Sequence, residues 1–186
     1  MHCKSVHCKS VVHGGLMAYP ARMRPGRSKA SALFEAVSAA GRAARVRFAG
    51  ERIPLAARIQ VTRRCPLSCA YCKLPAEHGD LMDTGTIFRI LSELAHAGCM
   101  RLSISGGEPL LREDVGRIVE ACADLGMAPE MNTSGWGLEE RIGEVGRLEL
   151  LKLSLDGPEE IHDAVRGRAG SYRAAVRAAR GRGRMR

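Results

Sequence analysis

The chain has 186 residues, 45% hydrophobic and 26% charged, with a formal net charge of +9 at pH 7. That length ordinarily folds as one domain with a real core, and the composition excludes the disordered class. No apolar run reaches the roughly 20 residues of a membrane helix and no secretory leader pattern opens the chain, so a cytoplasmic protein without membrane attachment is expected.

Residues 1–27 are expected to form an irregular leader. They open with a five-residue repeat, His2-Cys3-Lys4-Ser5-Val6 then His7-Cys8-Lys9-Ser10-Val11. It is too short for a solenoid unit and lacks the spacing of a closed four-ligand metal site. Gly14, Gly15, Pro20, Pro25 and Gly26 interrupt regular structure there. Residues 28–56 form a lead-in, helical over 31–47. Residues 57–181 then alternate strand and helix. Strands are expected at 57–62, 100–105, 128–133 and 150–155, where apolar residues alternate or run together between turn residues. Helices are expected at 84–96, with Thr84 as cap and Gly98 as stop, and at 113–125, 138–146 and 171–180.

Such an alternation implies an α/β fold with a parallel sheet and right-handed crossovers. Sites in these sheets lie beyond the carboxyl ends of the strands. Each conspicuous motif falls at such an end: a cysteine-bearing loop after the first strand, Gly106-Gly107-Glu108-Pro109 after the second, Asn132-Thr133-Ser134-Gly135 after the third, and Asp156-Gly157 after the fourth.

A basic tail, residues 182–186, closes the chain. Residues 51–163 carry 12 basic and 19 acidic side chains, so the body is acidic and the positive charge belongs to the two ends. Without aromatic interleaving or a base-reading motif, nucleic-acid binding is not expected.

Seven cysteines are present, and Cys65, Cys69 and Cys72 fall within eight residues. An odd, clustered set is a metal pattern rather than a disulfide framework. Cys99 and Cys122 stand in apolar segments and read as small buried hydrophobes. The loop Cys65-Pro66-Leu67-Ser68-Cys69-Ala70-Tyr71-Cys72 has the spacing C-x3-C-x2-C. Three thiolates can bind three irons of a cubane cluster and leave the fourth without a protein ligand, open to a small molecule that chelates through its own amine and carboxylate. A structural zinc would need a fourth ligand, for which His78 is the nearby candidate.

This loop, with an aromatic residue before its last cysteine and Gly106-Gly107-Glu108-Pro109 at the next strand end, resembles the radical S-adenosylmethionine superfamily over residues 55–180. The likeness is greatest to its molybdenum-cofactor, quinone-cofactor and sulfatase-maturase-like (SPASM-type) branches. The resemblance implies a partial TIM-type (β/α) barrel, a 4Fe-4S iron-sulfur cluster on Cys65, Cys69 and Cys72, and S-adenosylmethionine at the open iron. It implies an enzyme that cleaves this cofactor reductively to a 5'-deoxyadenosyl radical, which takes hydrogen from a peptide or a small cofactor precursor. It also implies an electron donor such as flavodoxin or ferredoxin.

In the family's pattern Gly106, Gly107, Glu108 and Pro109 meet the methionyl amine and Tyr71 meets the adenine. Ser154 and Arg166 meet the carboxylate, to which a guanidinium is well shaped. Asn132-Thr133-Ser134 stands where the family often reads Thr-Asn-Gly, so Thr133 is expected toward the ribose or the substrate, a plain turn being the alternative. Asp156 is read as a cap and His162 as support for a loop beneath Arg166.

The family's core usually holds six strand-helix units, whereas the pattern here supplies four. An incomplete core is therefore expected, with an open edge at the fourth strand and the chain either a fragment or completed by a partner chain. A noncatalytic iron-sulfur or zinc binding fragment is the alternative reading.

Overall fold

The computed structural model describes residues 16–20, 53–72 and 79–181, together with positions 37, 40, 41, 44 and 48. Their elements are β1 (Leu16–Pro20), β2 (Ala56–Gln60), α1 (Thr84–His96), β3 (Arg101–Ser105), α2 (Val115–Asp124), β4 (Ala128–Thr133), α3 (Leu138–Arg141), β5 (Leu150–Ser154), α4 (Glu159–Arg166) and α5 (Ser171–Gly181). A 3-10 turn, Pro109–Leu111, stands between β3 and α2. Positions 37, 40, 41, 44 and 48 are helical and exposed. The rest of the lead-in helix, the His-Cys repeat, His78 and the basic tail lie outside the described residues.

The strand order is β1-β5-β4-β3-β2. β2 through β5 run parallel, in a register that pairs Ile59 with Ile104, Ile104 with Met131 and Met131 with Leu151. All four side chains are buried on one face, where Ile87 and Leu91 of α1, Ile118 and Val119 of α2, and Leu138 of α3 close over them. Each such side chain contributes about 1.5–3 kcal/mol by leaving water. The alternate residues form a polar row on the opposite face: Arg58 pairs with Ser103, and Ser103 with Glu130. Glu130 is held there between Arg101 and Lys152, whose Nζ is 2.7 Å from Oε2. A sheet with helices on both faces would read apolar throughout, so this alternation is the imprint of a barrel wall with a polar interior. The expected partial barrel of four parallel strand-helix units is what the chain forms.

Two expectations are corrected. The edge at the fourth parallel strand is not open, because β1 pairs with β5 in antiparallel register, Leu16 opposite Ser154 through Pro20 opposite Leu150. The leader is accordingly not irregular throughout. The backbone groups along β5 need partners, and the short run between Gly14-Gly15 and Pro20 supplies them. The second correction is α4, absent from the sequence reading, which places His162 and Arg166 on a helix. Smaller shifts occur elsewhere: Asp83 rather than Thr84 caps α1, accepting from Thr86 N at 2.7 Å, and α3 is a single turn.

Arg112 ties the loops together at the carboxyl end of β2. Only 2% exposed, it donates through Nη1 to the carbonyls of Val61 and Met82, and through Nε and Nη2 to Asp114. Losing it takes the guanidinium from the Met82 carbonyl and leaves the Val61 carbonyl only Leu81 N and the Asp114 carboxylate only the Thr84 hydroxyl. Arg112→Leu is expected to destabilise the chain by about 3 kcal/mol, the scale of a broken buried ion pair. A urea midpoint shift that, multiplied by an unchanged m-value, amounts to less than about 1 kcal/mol would contradict this role.

Candidate functional site

The cysteine loop leaves the carboxyl end of β2 and is gripped first by the turn that follows β3. Gly107 N donates to Thr62 O at 2.8 Å and Glu108 N to Arg64 O at 2.8 Å. A Cβ on Gly106 would overlap the Thr62 carbonyl, and one on Gly107 the carbonyls of Arg63 and Arg64. Paired glycines are thus required by the close approach of two backbones. The pair stands against the cysteine loop, and what these contacts show is that it mounts that loop.

The second grip comes from the C-terminal turn of α4. Ser68 N donates to the carbonyl of Arg166 at 3.1 Å and Ala70 N to that of Val165 at 2.9 Å, so two carbonyls left over at a helix end take their protons from the cysteine loop. Gly167 follows in the left-handed region, φ 65°, and a Cβ there would overlap the Ser68 carbonyl. Arg168 reaches past it: Nη1 donates to Pro66 O at 2.7 Å while its Cζ lies 3.8 Å from the centre of the Trp136 ring. Neither Arg168 nor Trp136 was singled out from sequence. The run Arg166-Gly167-Arg168 after a short amphipathic segment was the available signal.

Arg166 is 8% exposed and faces the loop. Its Nε donates to Asp156 Oδ2 at 2.6 Å, its Nη1 lies 3.8 Å from Cys69 Sγ, and its Cζ stands 5.5 Å from the Tyr71 ring centre. Asp156 is oriented in turn by His162, whose Nδ1 accepts from Asp156 N at 3.1 Å. Burial, with the nearby Arg166 charge, holds the His162 pKa below its ordinary value, consistent with a neutral ring that accepts this bond. Asp156 thus braces Arg166 rather than capping the next segment, and His162 supports that pair from within α4.

Glu108 is buried at 1% exposure and collects four donors: Leu110 N at 3.3 Å, Thr133 Oγ1 at 2.7 Å, Ser134 N at 2.8 Å and Ser134 Oγ at 2.5 Å. Desolvation pushes its pKa up, and the bonds from Ser134 and Thr133 oppose that. The carboxylate therefore ties the end of β3 to the end of β4. The Thr133 hydroxyl is spent on this bond and on accepting Gly135 N at 3.0 Å, so it faces Glu108. Ser154 sits half-buried at the carboxyl end of β5.

Cys65 and Cys72 are exposed and Cys69 is half-buried, all three as free thiols. Burial pushes the Cys65 thiol up, a backbone bond at Leu67 opposes it, and the nearby Glu108 carboxylate acts in the same direction as burial. Tyr71, 58% exposed, is pushed up to about 12 by desolvation, with the Arg166 charge opposing. Among the described residues no three His, Cys, Asp or Glu side chains already stand in a metal-binding arrangement. The donor set fits an iron-sulfur cluster: three soft thiol donors on one accessible loop, with the backbone anchored on both sides. Cys99 and Cys122 are buried at 5% and 0%, as expected of core residues. A cleft of about 670 Å³ lies nearby, between Arg64, Asp80, Thr84 and Arg112, but none of the three cysteines lines it. Its walls are held by Arg64–Asp80 and Arg112–Asp114 ion pairs.

Gly167→Ala tests the second grip. A Cβ in the left-handed region, pressed on the Ser68 carbonyl, is expected to cost about 1–3 kcal/mol and to speed alkylation of Cys69 as the loop lifts from α4. Unchanged stability and unchanged alkylation would contradict it.

The Radical SAM superfamily pattern matches residues 59–182. Two similar proteins are PqqA peptide cyclases. That of Bradyrhizobium diazoefficiens is 36% identical over 135 residues, 69% of this chain and 36% of its own length. That of Methylobacterium nodulans is 40% identical over 101 residues, 53% of this chain and 25% of its own length. The chain therefore spans about a quarter to a third of the length of these curated relatives. Among solved structures, SuiB of Streptococcus suis bound to S-adenosylmethionine aligns with a TM-score of 0.53 at 19% identity, over 82% of this chain and 37% of that one. The anSMEcpe structure with bound AdoMet aligns with a TM-score of 0.51 at 22% identity, over 69% and 40%. At these identities the structures speak for the fold, a barrel of parallel strand-helix units. With the pattern matching residues 59–182, from within β2 to past the end of α5, the chain belongs to the radical SAM superfamily, whose cofactors are S-adenosylmethionine and a 4Fe-4S cluster.

Proposed function

We propose that this chain carries the radical-generating half of an enzyme that modifies a peptide. The observation that supports this most is the double mounting of a three-cysteine loop, by Gly106-Gly107 on one side and the α4 terminus on the other, at the carboxyl ends of a parallel sheet. In this reading Cys65, Cys69 and Cys72 hold the 4Fe-4S cluster. When bound, cluster and S-adenosylmethionine supply a one-electron reductive cleavage that yields a 5'-deoxyadenosyl radical.

The protein's own work is orientation and shielding. The Gly106–Pro109 turn meets the methionyl amine, with the buried Glu108 fixing its course. Arg166 keeps Nη2 for the cofactor carboxylate, since Asp156 and Cys69 occupy Nε and Nη1. Ser154 approaches the same carboxylate from the end of β5. Tyr71 lies against the adenine. Thr133 acts through Glu108 rather than on the ribose. The polar interior wall, with Ser103, Glu130, Asn132 and Lys152, faces the substrate.

A peptide is preferred over a cofactor precursor because the relatives are named PqqA peptide cyclases and one structural neighbour is SuiB bound to its precursor peptide SuiA. We place the reaction in the cytoplasm, with a flavodoxin or ferredoxin as electron donor and as an oxidoreductase in the broad sense. No helix among the described residues is long and apolar enough to cross a membrane. A further parallel strand added beside β5, from a partner chain or another segment, would have to displace β1.

Anaerobic reconstitution with iron and sulfide, followed by a reductant and S-adenosylmethionine, is expected to give a brown protein that releases 5'-deoxyadenosine. Substitution of Cys65, Cys69 and Cys72 together by Ala is expected to remove both. Product formation that survives the triple substitution would sink the assignment. A wild-type cluster without product would support the noncatalytic iron-sulfur fragment instead.

A further inference from the structure

The contact of Arg166 with Cys69 is not needed to hold the loop and is not used by a carboxylate clamp. The loop is already fixed by backbone bonds from Ser68 and Ala70 to α4, by the close approach of Gly167, and by Arg168 on Pro66 O. None of these involves the Arg166 side chain. Yet that side chain is buried, locked by Asp156 at 2.6 Å, and aimed so that Nη1 lies 3.8 Å from Cys69 Sγ. A guanidinium placed beside a single sulfur at hydrogen-bonding reach to it stabilises negative charge on that sulfur.

We propose that Arg166 is a positioning and tuning residue: braced by Asp156, it donates to the Cys69 thiolate and raises the reduction potential of a cluster bound through it. The proposal rests on the iron-sulfur reading of the loop. Reduction adds one electron, taken from an external reductant, to the cluster and its three thiolates. The added negative charge is shared by the ligand sulfurs, so a fixed cation hydrogen-bonded to one of them favours the reduced form. Hydrogen bonds to the sulfurs are among the levers by which a protein sets such potentials. His162 and Asp156 serve the same end by fixing the guanidinium plane, which a lysine ammonium on a flexible stem does not reproduce.

The test is a potentiometric titration, followed by electron paramagnetic resonance, of the reconstituted full chain without S-adenosylmethionine. Arg166→Gln is expected to retain iron and to lower the reduction equilibrium at least tenfold, about 59 mV for a one-electron couple. Arg166→Lys is expected to fall between the two. Arg168→Gln, which removes a cation that reaches the same loop at the Pro66 carbonyl, is expected to move the midpoint by less than Arg166→Gln. Arg166→Gln with its iron and an unchanged midpoint would overturn the proposal while leaving the cluster reading intact. Should Arg166→Gln lose its iron, Arg166→Lys decides: a midpoint below wild type supports the proposal, and a wild-type midpoint, or loss of iron again, overturns it. A wild-type chain that takes up no cluster would overturn both readings.

Discussion

The structure depends on holding still a loop that has no regular structure of its own. Residues 63–72 cross the carboxyl end of the sheet as turns and bends, and three of them must present thiols outward. A surface loop of that kind would ordinarily be mobile. Here its backbone groups are shared with two rigid neighbours: the Gly106-Gly107 turn takes the carbonyls of Thr62 and Arg64, and the last turn of α4 takes the amides of Ser68 and Ala70. Both contacts require glycine, because backbone meets backbone. The cysteines are thereby left free of structural duty.

The remaining polar groups at this end act as a scaffold beneath the loop. Glu108 joins two strand ends through Thr133 and Ser134, Arg112 joins β2 to the entry of α1, and Asp156 with His162 fixes Arg166. Each is a buried or half-buried charge that meets several donors or acceptors, which is the condition under which burial of a charge is tolerated. The same arrangement explains why site residues are so easily confused with structural ones here. Gly106, Gly107, Glu108 and Thr133 stand at the site and also carry it.

Much of this was legible in the sequence because period-two strands and capped helices follow local rules. β4 was placed at its observed bounds, whereas the core row from Ile59 to Leu151 depends on the register between strands. The cysteine spacing and the glycine pair pointed to the candidate site without reference to packing. α4 was not read from the sequence although its segment is amphipathic: at eight residues, opened by Pro158 and rich in charge, it is too short to declare itself as a helix. β1 escaped because its pairing answers a need of β5 more than 130 residues away, which no local signal carries. The double duty of Thr133 and the Arg168–Trp136 stack are likewise tertiary facts.

If the account is right, the loop's three cysteines leave one iron open and the site beside it accepts S-adenosylmethionine. The most direct measurement is the electron paramagnetic resonance spectrum of the reconstituted, reduced chain before and after that cofactor is added. A 4Fe-4S signal whose g-values move on addition is the predicted result. A cluster signal that does not respond, or no cluster signal at all, would contradict the account.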